Sequence, residues 1–195
     1  MEFEKEYLTD LVKGKTKGDF PPFSSGKWKK SDEYLKQIVG RLKDIKSIQV
    51  EADFNHYGSG FSSYVHLYLS KTDKSDTKIS QDGELRTGET NGLMMYLCRM
   101  APFSVYGEGT WHKTFNKDKG QSGSSHYIEP EDIGTTPESD WGIELNEIQN
   151  ILNQYGISVL TKVELDKKLE FKISIPTILS EPPFKVFDCL FYWED

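Results

Sequence analysis

The chain has 195 residues, 36% of them apolar and 13% aromatic, with 31 acids against 24 Lys and Arg and a net charge of −7. That aromatic content is enough for a packed core and excludes a disordered chain. The net negative charge argues against a nucleic-acid binder, and no apolar run reaches the roughly 18 residues that span a bilayer.

The opening MEFEKEYLTDLVKGK is charged and amphipathic, and it lacks the apolar stretch of a secretory signal. Glu2 to Val12 predicts a short helix with Phe3, Leu8, Leu11 and Val12 on its apolar side. KGKTKGDFPPFSSGKWKK, residues 13 to 30, predicts a basic loop. Its lysines are expected to find an intramolecular mate in the acidic C-terminal part. Ser31 predicts an N-cap, followed by Tyr34, Leu35, Ile38, Val39, Leu42 and Ile45 at helical spacing. Residues 1 to 30 thus form an extension and 31 to 195 the core of a single domain.

Ser47 to His56 alternates, with Ile48, Val50, Ala52 and Phe54 on one face. Phe61 to Ser70 alternates again, with His66 between Tyr64 and Tyr68 on one face and Val65, Leu67 and Leu69 on the other. YGSG, residues 57 to 60, is read as the turn between these strands. Thr77 to Ser80 predicts a further strand, and QDGELRTGETN, residues 81 to 91, a polar connection. LMMYLCRM, residues 93 to 100, predicts a central strand broken only by Arg99. Phe103 to Tyr106 and Thr110 to Phe115 predict a strand pair turning at GEG. Asn116 to Ser125 reads as a mobile Gly/Ser stretch.

Pro130 to Asp140 predicts an acidic loop. Ile143 to Gln154 predicts a helix with Ile143, Ile148, Ile151 and Leu152 as its stripe and Gly156 just past its end. Ile157 to Leu160 predicts a short strand, and Thr161 the cap of a short helix. IPTILSEPP predicts an extended loop, because proline cannot join a ladder. VFDCLFYWED, residues 186 to 195, predicts a strand apolar on both faces and inserted between others. Asp188 within it is expected to pair with Arg99. Cys98 and Cys189 predict buried thiols in a reducing compartment, the cytoplasm. The whole reads as α+β: a mostly antiparallel sheet of five to seven strands with helices packed on it.

No histidine lies at a metal-ligand spacing from another ligand, and the glycine pairs lack the residues of a phosphate loop, so no metal or cofactor is expected. Charge is the more informative pattern. Residues 129 to 195 hold 14 acids against 5 Lys, a net −9. Residues 129 to 161 hold seven acids and no Lys or Arg. The acids Glu129, Glu131, Asp132, Glu144 and Glu147, with Trp141 as an aromatic anchor, are candidate contacts to a basic protein partner such as a nuclease, whose phosphate site is cationic. The competing expectation is a small hydrolase or ligand-binding enzyme with a pocket near His112, Arg99 and Asp188.

The order of MMYLCRMAPFSVYGEGT (94 to 110), YGISVLTKVELDKKL (155 to 169), and IPTIL and PPFKVFDCLFYWED (from 175 to the end) resembles that of small bacterial α+β immunity proteins encoded beside secreted or contact-delivered toxins. The resemblance covers core and turn residues of roughly the C-terminal half. It implies a non-enzymatic protein that neutralises a cognate toxin by tight binding in the cytoplasm of the producing cell, and it supplies no active site.

Overall fold

The computed structural model describes residues 2–58, 60–116 and 120–194. Two long strands, β5 (Leu85–Cys98) and β6 (Phe103–Asn116), form its spine. They pair antiparallel from Leu85↔Asn116 to Leu97↔Ser104. On the β5 side, β3 (Tyr64–Lys71) pairs with residues 93–98, and β1 (Ile48–Asp53) pairs with β3. Further along, β4 (Thr77–Asp82) takes the place of β3 and pairs with residues 85–90. On the β6 side lie β7 (Gly120–Ser125), antiparallel, and the short β8 (Ser158–Val159), parallel. The result is a seven-stranded, mostly antiparallel sheet among the described residues.

Strands β3 and the inner half of β5 are apolar on both faces because both faces are covered. On one face, Val65, Leu67, Leu69, Leu93, Met95 and Leu97 meet α2 (Lys29–Lys43) and α3 (Gly142–Gln154) through Leu35, Ile38, Leu42, Ile148 and Leu152. On the other, Tyr64, Tyr68, Met94, Tyr96 and Cys98 meet α1 (Lys5–Val12) and the chain's final turns through Leu8, Leu11, Phe187, Leu190 and Phe191. The α+β architecture expected from the sequence is therefore the observed one. Thr161 caps α4 (Lys162–Leu165) reciprocally with Glu164, and Gly156 takes φ +66 just past α3, both as expected.

Several elements differ from expectation, each for a local reason. Residues 81 to 91 are not a connection: Gly83, at φ +57, is the first of two residues in the tight turn joining β4 to β5. GEG is not a turn, since β6 runs straight through it. A Cβ at Gly107 would stand 2.5 Å from the Asp132 carbonyl oxygen, and one at Gly109 would stand 2.6 Å from Met94 Sδ. These glycines admit close neighbours rather than reversing the chain. The stretch expected to be mobile lies partly outside the described residues (117–119), and its remainder is the end of β6 and the whole of β7. The expected turn at 57 to 60 includes Ser59, also outside them. The second helix begins three residues early, placing Ser31 in its first turn, where its hydroxyl donates to the Trp28 and Arg99 carbonyls.

The terminal stretch is buried but is not an inserted strand. It forms a one-turn helix α5 (Val186–Leu190), then a two-residue strand β9 (Trp193–Glu194) paired with β2 (Phe61–Ser62). Asp188 accounts for this. Its carboxylate accepts the Lys185 amide at 2.6 Å and the Ser180 hydroxyl at 2.6 Å, which fixes a helix start just after Pro182 and Pro183. Ser63 then ties down the end of the chain, its hydroxyl donating to the Leu190 carbonyl at 2.8 Å and accepting the Tyr192 amide at 2.8 Å.

Candidate functional site

The acidic segment runs along the edge of β6. Ile133 bridges to Gly107, the Gly134 amide donates to the Tyr106 carbonyl (2.8 Å), and the Ile128 amide donates to the Tyr96 hydroxyl (2.8 Å). Ile128 and Ile133 enter the core on the α5 side, whereas Trp141 and Ile148 enter it on the α2–α3 side. The segment therefore wraps the sheet edge, and its carboxylates divide between two faces.

Their fates differ. Glu129, Glu131 and Glu147 are exposed, as are Glu138 and Asp140 of the same segment, and Asp132 is half-buried. Trp141 cannot act as an outward anchor: it is 2% exposed, with its indole N–H on the Ser139 hydroxyl at 3.1 Å. Glu144 is also internal, 7% exposed and 2.8 Å from Lys71 Nζ, which lies 4.8 Å from the Trp141 ring centre. Burial, the largest single influence, raises the Glu144 pKa, but the hydrogen bond and charge of Lys71 together with hydrogen bonds from its own backbone and from Ser47 outweigh it, and the net shift is downward. Ile143, expected in the buried stripe, is 70% exposed. Among the described residues, the ion pairs of the basic N-terminal stretch run from Lys15 and Lys17 to Asp10, at 2.8 and 2.5 Å, and not to this segment.

The three residues of the competing enzyme pocket do not converge. Arg99 is 3% exposed, and its partner is Asp32 at 2.7 Å rather than Asp188. Its other donors reach the carbonyls of Phe54, Ser62 and Tyr64 and the Ser62 hydroxyl. Asp188 serves α5 as described. His112 lies part-exposed on β6, with Nδ1 3.8 Å from Glu89. His66 occupies the setting its neighbours imply, stacked on Tyr68 at 4.1 Å and edge-on to Tyr96 at 4.8 Å. Burial pushes its pKa down to about 3, and the imidazole is neutral. Cys98 and Cys189 are buried free thiols, as expected, and burial pushes both up to about 12. No group of three or more potential metal ligands occurs among the described residues. No helix among them is long and apolar enough to cross a membrane.

One concave feature was not anticipated from the sequence. The outer halves of β5 and β6, with β4 and β7, extend beyond the helices and coil. Glu51 on β1 pairs with Lys113 on β6 although β3 and β5 lie between them. The Tyr68 hydroxyl on β3 reaches the Ser125 hydroxyl on β7 at 2.9 Å, with β5 and β6 between. Strand register puts Gly88, Gly92, Gly107, Gly109 and Gly123 on this inner face. A Cβ at Gly92 would stand 2.5 Å from the Trp111 ring and 2.4 Å from the Leu69 carbonyl, so the indole lies directly on the strand. The trough has two lobes, of about 490 and 380 Å³, that share Glu51, Trp111 and Lys113. The signal in the sequence is small residues at even spacing, Gly88 to Gly92 and Gly107 to Gly109, beside an alternating TWHKTF.

Compared with known proteins, the chain matches no family model, no curated relative and no solved structure.

Proposed function

We propose that this protein is a non-enzymatic binding protein of the immunity type, which neutralises a cognate toxin by covering a basic active site, such as that of a nuclease domain, in the cytoplasm of the producing bacterium. The observation that supports this reading is the exposure of Glu129, Glu131, Glu138, Asp140 and Glu147 along one segment that wraps the edge of β6 and is pinned to it at Ile133 and Gly134. Carboxylates on a rigid support lose little entropy when a cationic surface docks, and their summed field speeds the encounter. The exposed Ile143, one helical turn from Glu147, adds apolar area to the α3 part of this segment.

The test is an association measurement against the toxin-like protein encoded beside this one, at several salt concentrations. The expected result is a stable complex whose on-rate falls as salt rises. Replacing Glu129, Glu131 and Glu147 together with Lys is expected to slow association about tenfold or more. A complex insensitive both to salt and to this charge reversal would refute the reading, as would a neighbouring gene with no toxin-like product.

A further inference from the structure

Independently of that reading, we infer that the outer lobe of the trough is a binding site for a small organic anion with a flat, apolar body. The two parts of such a ligand answer to two parts of the lobe.

The apolar part follows from strand register. Ile79, Gly88 and Lys113 stand side by side across β4, β5 and β6, and Gln81, Arg86 and Phe115 form the next row. Gly88 leaves a slot in the first row, and a Cβ built there would find its nearest neighbour, the Lys113 carbonyl oxygen, only at 4.0 Å. Ile79 and Phe115 border this slot and remain 51% and 49% exposed, while Trp111 closes its inner end. Large apolar side chains held half in water around a glycine floor favour a planar guest over an empty lobe.

The charge follows from the lining. Lys74 and Arg86 line the lobe, and neither side chain has an ion pair or hydrogen bond among the described residues. Lys113 is also there, shared with Glu51, the one carboxylate of the lining. The neighbouring Asp76 is occupied elsewhere, accepting the Lys71 amide at 2.7 Å and the Thr77 hydroxyl at 3.2 Å. A carboxylate, sulfonate or phosphate on the guest would receive charge-assisted hydrogen bonds from Arg86 and Lys74. The Lys113–Glu51 pair forms a strut between the two lobes, so releasing Lys113 adds a third cation. That makes Glu51 a residue whose loss should improve binding.

The test is an amide-resolved NMR titration of the full chain with 2-naphthoate as the anionic probe and 2-naphthylmethanol as its neutral counterpart. With 2-naphthoate, saturable shifts are expected at the Trp111 indole N–H and at amides 86–90 and 111–115. The neutral alcohol should bind about tenfold more weakly, as should 2-naphthoate with the Arg86→Glu variant, since one charge-assisted bond is worth about that factor. Glu51→Gln should tighten 2-naphthoate binding severalfold. Both substituted side chains are exposed, so both variants should keep the native spectrum elsewhere. The inference fails if 2-naphthoate leaves these amides unmoved, if the alcohol binds equally well, or if Glu51→Gln weakens binding. None of these results bears on the acidic segment, so this site and the proposed function stand or fall separately.

Discussion

Replacing Arg99 with Met should cost about 4 kcal/mol of stability, a large share of the roughly 5–15 kcal/mol that a folded domain possesses. The magnitude follows from what the guanidinium holds. It directly follows the buried end of β5, and it bonds Asp32 on α2 together with three main-chain carbonyls, those of Phe54, Ser62 and Tyr64. Asp32 is part-exposed and can recover water when its partner is lost. The carbonyls recover less, and each one left unpaired costs about 1–3 kcal/mol. Methionine conserves the apolar stem, which removes a cavity term from the comparison. Lysine should fail to rescue, because a single ammonium cannot reach acceptors that the planar fork serves in several directions. The assay is urea unfolding followed by tryptophan fluorescence, with hydrogen exchange as a second readout. Exchange should rise first at residues 54–64 and at Tyr192 and Trp193, because Ser63 and β2 join the carbonyls bound by Arg99 to the end of the chain. A loss below about 1 kcal/mol, or full rescue by Lys, would refute the claim that Arg99 organises this corner.

Two further predictions concern the sheet. His66 is held neutral with its pKa near 3, below the roughly 6.5 of an unfolded chain. Its contribution is therefore complete above pH 6.5 and declines as pH falls towards 3, by about 1.4 kcal/mol per unit within that window. His66→Phe should flatten the stability profile between pH 6.5 and 5 by the equivalent of one proton; an unchanged slope in denaturant melts across that range would contradict the assignment. Gly92→Ala should destabilise by about 2 kcal/mol or more, because its methyl meets the Leu69 carbonyl and the Trp111 ring, whereas Gly88→Ala should be neutral or mildly stabilising. Equal urea midpoints for the two variants would show that Trp111 does not lie on β5 as described.

The sequence was informative wherever local pattern and tertiary surroundings ask for the same thing. Val65, Leu67 and Leu69 alternate with Tyr64, His66 and Tyr68 because β3 separates two cores, and period two is visible without knowing what covers either face. Thr161 and Gly156 were legible for a related reason: caps are satisfied within a few residues of themselves. VFDCLFYW marks the limit of this kind of reading. Apolarity on all sides predicts burial, and burial is what the stretch has, yet a strand and a short helix both satisfy it. The discriminating residue was Asp188, three positions after Lys185 and following two prolines, which is where a helix start wants a carboxylate. The cost of its charge is met by its nearest backbone amide and the Ser180 hydroxyl, and Arg99 is left to Asp32.

The candidate site was less legible, because charge counted along a chain is not charge mapped on a surface. Residues 129 to 161 lack a single Lys or Arg, but Lys71 from β3 reaches across to Glu144 and takes one carboxylate out of the patch, and the sheet edge parts the others. The trough was hidden for the complementary reason. Lys74 belongs to the turn between β3 and β4, Arg86 to β5 and Lys113 to β6, and none of them stands out in its own stretch. They meet only because the long β5–β6 hairpin coils. The glycines that permit the coiling look like turns when each is read alone, and β6 shows that a glycine with a close neighbour across the sheet has a different use from one that reverses the chain. A concave face made this way gathers charges that are distant in sequence, so its ligand preference becomes visible only after the strand register is known.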